Sequence, residues 1–148
     1  MKHKTTFSRF FLFIFFTSIF IACTMQKAEK VNLESALHIP PGGNSWVINN
    51  IPENKKVISK DGIHNWTNLN SIIRTNFKTS VIGKLHLGFN AKSIGGPATI
   101  KVTVGAISKE VIINNSEYKN IEIGVFDLKT TGYHFIEIQG IQKSGEEI

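Results

Sequence analysis

The chain has 148 residues, a single cysteine and a formal net charge of +6. One cysteine excludes a disulfide framework, so packing and hydrogen bonds must hold the fold. Three basic residues, Lys2, Lys4 and Arg9, lie in the first 22 positions, so the remainder carries 14 − 11 = +3. This weak and scattered excess excludes the basic stripe that a nucleic-acid surface needs.

In chain order, the first element is a basic start followed by the apolar run Phe10 to Ile21, closed by Ile21-Ala22-Cys23. A basic segment, a short apolar segment and a small residue at the cleavage point make a secretory signal. The cysteine directly after it is the bacterial lipoprotein pattern, in which the thiol takes lipid and becomes the mature N-terminus, although Phe20 stands where that pattern usually has Leu. The run is too short for a spanning helix, which needs roughly 20 apolar residues. The expected order is therefore a signal over 1–22, lipidation at Cys23, a polar tether over 23–34 and one domain over 35–148, held at the bacterial cell envelope.

The rest reads as strands. Leu37-His38-Ile39 runs into the turn Pro40-Pro41-Gly42-Gly43, and Ser45 to Ile48 forms a strand that stops at Asn49-Asn50. Val57-Ile58 precedes a turn at Asp61-Gly62, and Ser71 to Phe77 is β-prone. Leu85, Leu87 and Phe89 alternate with Lys84, His86 and Gly88, and Ile100, Val102 and Val104 alternate with Lys101 and Thr103. Val111, Ile112 and Ile113 are apolar on both faces, which predicts a strand covered on both sides. Ile121 and Ile123 flank Glu122, and Phe135 to Ile138 follows the turn at Thr131-Gly132. Alternation with a period of two marks half-buried antiparallel strands. Gly83, Gly105, Gly124 and Gly140 fall where bulges and corners are expected. The predicted fold is all-β, a two-sheet antiparallel jelly-roll-like sandwich. Its predicted core is Leu85, Leu87, Phe89, Ile100, Val102, Val104, Phe135 and Ile138.

Three segments occur in a telling order: Ile39-Pro40-Pro41-Gly42-Gly43-Asn44-Ser45-Trp46, then Gly62-Ile63-His64-Asn65-Trp66-Thr67-Asn68, then Gly132 to Gly140 followed by Lys143-Ser144-Gly145. Together they resemble an uncharacterised bacterial N-terminal domain family, domain of unknown function 5077, which commonly precedes a second uncharacterised domain. The last segment also looks like the final hairpin of galactose-binding-like carbohydrate modules. The resemblance implies a jelly roll and a glycan as partner, but supplies no binding residues. Related domains continue with another strand, so either this chain is a truncated copy lacking its final strand, or Ile148 ends a very short one.

Trp66, flanked by Asn65 and Asn68, is the candidate ligand-binding group. An indole stacks on sugar C–H faces while amides bond hydroxyls; the competing role is a core indole whose N–H meets a backbone carbonyl. Trp46, within a strand, is expected in the core. Tyr118 and Tyr133 stand near turns, as rim aromatics or strand-edge residues. Ser59, Asp61 and His64 lie close together, but no nucleophile elbow accompanies them and the turn explains Asp61. His38, His86 and His134 are about 48 residues apart and are not expected to form a metal site. Glu34, Glu146 and Glu147 do not supply the oxygen set that calcium needs. The sequons at Asn65 and Asn114 carry no expected role in a bacterial lipoprotein. No enzyme and no cofactor are expected. The reading is a lipid-anchored, non-catalytic carbohydrate-binding module; the alternative is a structural or interaction domain serving a second, absent domain.

Overall fold

A computed structural model describes residues 36–49 and 56–148; the signal, Cys23 and the whole tether lie outside the described residues. Among the described residues, nine strands form antiparallel sheets and there is no helix. The larger sheet has the order β1-β4-β9-β6-β7, made by β1 (Ser45–Val47), β4 (Ile72–Thr79), β9 (Gly132–Lys143), β6 (Ala98–Val104) and β7 (Ile107–Ile113). Against its inner face lies a ribbon of β5 (Gly83–Ala91) and β8 (Lys119–Leu128). A small hairpin of β2 (Ile58–Ser59) and β3 (Gly62–Ile63) turns through Lys60-Asp61, and its Ile58 and Ile63 pack on the core with Trp66.

The core follows the alternation. Ile73 and Phe77, Ile100, Val102 and Val104, and Ile136 and Ile138 project inward from three neighbouring strands of the large sheet, and all are buried. Ile123, Phe126 and Leu128 face them from β8. Leu85, Leu87 and Phe89 point inward as predicted but stay half-buried, because β5 is the outer strand of a two-stranded ribbon.

Two glycines shape this packing. Gly105 has φ +60° in the two-residue turn between β6 and β7, and Ala106 after it does not share the positive φ, as a type II′ hairpin turn requires. Gly124 has φ +121° at a bulge, where Leu87 pairs with Gly124 but Gly88 pairs with Glu122, leaving Ile123 as the extra residue. The bulge resets the phase of β8, so Ile121 before it, Ile123 within it and Phe126 and Leu128 after it all face the core. It also makes room for Lys109, whose Nζ lies where a Cβ on Gly124 would stand and sits 4.9 Å from the centre of the Phe126 ring. An inward lysine on the outer strand β7 guards that edge against pairing with another chain.

Three expectations are corrected. Phe135 is not in the core: Ile136 and Ile138 take the inward positions, and Phe135 lies on the outer face. Ile112 is exposed, so β7 is covered on one face only. Trp46 faces solvent, because its neighbour Ser45 is the inward residue and its hydroxyl pairs with that of Thr75 at 2.8 Å.

Candidate functional site

Trp66, the residue singled out from sequence, is 3% exposed. Its Nε1–H donates to the Asn68 carbonyl at 3.0 Å, and its own carbonyl accepts from the Ile148 N–H at 3.1 Å. Asn65 takes φ +52° and donates its amide to the Lys56 carbonyl at 3.2 Å. The Asn68 side-chain oxygen accepts from the Asn70 N–H at 2.9 Å, an Asx turn. These polar groups tie the loop to itself and close the bottom of the core. A ring so buried cannot offer a face to a sugar, and the stacking platform expected at Trp66 is withdrawn for that reason.

The outer face of the five-stranded sheet offers what that loop does not. Residues directly opposite one another on paired strands share a face. The register therefore sets Trp46, Arg74, Glu137, Thr103 and Ser108 in one row across all five strands. At 4.7–4.9 Å per strand, this row is roughly 19 Å long. Trp46 begins it with 52% of its surface exposed. Arg74 donates from Nε (3.0 Å) and Nη2 (2.5 Å) to the same Glu137 oxygen, Oε1, which ties the guanidinium to the neighbouring strand. Its Cζ lies 4.1 Å from the centre of the Phe135 ring, a cation–π contact. Thr103 and Ser108 share a hydroxyl hydrogen bond of 2.8 Å at the far end. Phe135 and then Tyr133 continue the aromatic line along β9, with the Lys78 ammonium 5.5 Å from the Tyr133 ring.

This arrangement exposes aromatic rings beside a guanidinium, a carboxylate and hydroxyls. It can stack on a C–H face and exchange hydrogen bonds with ring hydroxyls. Sequence reasoning missed it, since Trp46 and Phe135 were expected inside and no signal tied Arg74 to Glu137 across 63 positions.

A concavity of about 540 Å³ lies at one end of the ribbon, lined by Ser93, Gly95, Gly96, Asn114, Asn115, Ser116, Glu117 and Lys119. Asn115 uses its amide to bind the Ala91 and Glu117 carbonyls at 2.8 and 2.7 Å, so this group shapes the loop. Beside it the Lys92 ammonium stands 4.9 Å from the Tyr118 ring.

Ser59, Asp61 and His64 form no catalytic relay: the Ser59 hydroxyl accepts from the Asp61 backbone N–H at 3.1 Å, a turn contact. His134 stacks on Phe77 at 5.5 Å, and its Nε2 donates to the Thr130 carbonyl at 3.0 Å. His86 projects from the outer side of β5, away from it. Among the described residues no three His, Cys, Asp or Glu side chains converge to hold a metal.

No curated protein matches the chain. The family model described as domain of unknown function (DUF5077) matches residues 39–148, which covers every strand among the described residues. The chain belongs to that family.

Proposed function

We propose that this protein is a non-catalytic carbohydrate-binding module, and that it takes its glycan on the outer face of the five-stranded sheet rather than at the Trp66 loop. The observation that carries the reading is the row Trp46-Arg74-Glu137 with Phe135 beneath the guanidinium. Trp46 supplies the stacking surface, the hydrogen-bonded Arg74–Glu137 pair supplies donors and acceptors, and Thr103 and Ser108 extend the polar contacts. A stacked ring contributes on the order of 1 kcal/mol, which fits millimolar binding to one glycan strand. Many copies on one membrane raise that to useful avidity.

Attachment to the membrane is the second half of the proposal. It rests on the signal followed by Ala22-Cys23, and it places the module at the bacterial cell envelope. One acyl chain anchors only marginally, and the two or more carried by bacterial lipoproteins hold firmly.

A glycan array probed with the full chain and with Trp46→Ala tests the function. Binding by the wild type, lost in a Trp46→Ala protein of unchanged melting temperature, supports it. A wild type that binds no glycan, or a variant that binds as well, defeats it and leaves the interaction-domain reading.

A further inference from the structure

The end of the sandwich opposite the 540 Å³ concavity carries a different kind of surface. Two three-residue connections lie side by side there, because Thr79 pairs with Gly132 and Gly83 pairs with Leu128. One joins β4 to β5 through Ser80-Val81-Ile82; the other joins β8 to β9 through Lys129-Thr130-Thr131. Val81 is 68% exposed, Ile82 65% and Tyr133, at the base of the second connection, 81%. The first connection is tied at its base, since the Thr79 hydroxyl both accepts from the Val81 N–H (3.1 Å) and donates to the Val81 carbonyl (3.0 Å).

Lysines ring this tip: Lys78 over Tyr133, Lys84 at the start of β5, and Lys129 in the neighbouring connection. Asp127 is paired with Lys129 and stands opposite Lys84 in the register, so the tip sets three ammonium groups against one carboxylate. Exposed aliphatics, an amphipathic tyrosine and flanking ammonium groups are the composition of a membrane-interface anchor. β1 also enters the sheet from this end, as the Asn76 N–H bonds the Asn44 carbonyl just before it.

We infer that this tip rests on an anionic lipid bilayer, with Val81 and Ile82 in the headgroup–acyl boundary and the lysines on lipid phosphates. A bilayer suits the tip better than a protein partner. Two aliphatics and one tyrosine at the end of a sandwich are far from the roughly 800 Å² per side of a stable protein interface. Lipid needs no matching contour, and the charge is complementary to an acidic leaflet.

Hydrogen exchange read by mass spectrometry tests this on the full chain, bound to vesicles of phosphatidylglycerol with phosphatidylethanolamine or of phosphatidylcholine alone. Any N-terminal attachment is common to both vesicles, so the difference between them reports the tip. The expected result is a several-fold slowing of the amides of residues 80–84 and 129–133 on the anionic vesicles only, abolished by Val81→Ser/Ile82→Ser and weakened by Lys84→Gln/Lys129→Gln. Equal exchange on both vesicles overturns the inference. So does slowing that survives the serine pair, or that appears in concentrated protein without lipid, which marks a protein contact. If the serine pair lowers the melting temperature, the lysine pair alone decides.

Discussion

Trp66→Ala removes the largest side chain at the base of the core. Trp66 is 3% exposed and packs in the cluster that includes Val57, Ile73 and Ile100. Truncating a buried Trp to Ala costs about 3–5 kcal/mol, against a total stability of about 5–15 kcal/mol for a domain of this kind. The melting temperature is expected to fall by on the order of 10–20 °C. Trp66→Phe keeps most of the volume and removes the N–H. The Asn68 carbonyl it leaves still accepts from the Ser71 N–H at 3.1 Å, so the lost bond costs nearer 1 kcal/mol and the variant folds. With only two tryptophans in the chain, Trp66→Phe leaves Trp46 as sole emitter. Its fluorescence is expected to be red-shifted and readily quenched by acrylamide, whereas Trp46→Phe leaves a blue-shifted, protected indole. A Trp66→Ala protein as stable as wild type, or a Trp66 as quenchable as Trp46, refutes the burial argument.

Gly124→Ala adds a Cβ at φ +121° and against the Lys109 ammonium, so urea unfolding is expected to show a loss of about 1–3 kcal/mol; no loss refutes the bulge geometry. Ile100→Ala, at a fully enclosed site in the central sheet, should cost about 2–5 kcal/mol and clearly more than Leu87→Ala on the half-covered ribbon, as compared by denaturant midpoints. Cys23→Ser is expected to shift the protein out of the membrane fraction or leave it unprocessed; unchanged partitioning and unchanged N-terminal mass argue against lipidation.

Much of this fold is legible because burial on one face forces a period of two. Ile100, Val102 and Val104 alternate with polar neighbours, and the structure places them as the pattern requires. A turn near Asp61-Gly62 is equally plain from these residue types, and the structure sets it one residue earlier, at Lys60-Asp61, with Gly62 opening β3. Phe135 is a different matter. Phe135 and Ile138 differ by three positions, so a regular strand cannot turn both inward. The pair Phe135-Ile136 leaves the phase ambiguous, and packing resolves it toward Ile136, with Phe135 covered by Arg74 instead. Trp46 is harder still: β1 has three residues, too few to show a phase, and a serine takes the inward place. Ile112 shows that a β-branched residue on an outer strand need not be covered. The candidate site stayed hidden for the same reason. It is a property of register, with β1, β4 and β9 drawn from opposite ends of the chain, and register between distant strands is fixed by the whole core rather than by any local motif.

The most direct test of the sheet-face site is a proton–nitrogen correlation spectrum of the full chain, titrated with an oligosaccharide that binds on the array. The chain has two indole N–H resonances, from Trp46 and Trp66. The expected result is a progressive shift of the Trp46 indole together with the Arg74 side chain and the Phe135 backbone, while the Trp66 indole stays fixed. Movement of the Trp66 indole, or shifts confined to the Asn114–Lys119 concavity with Trp46 unmoved, would contradict it.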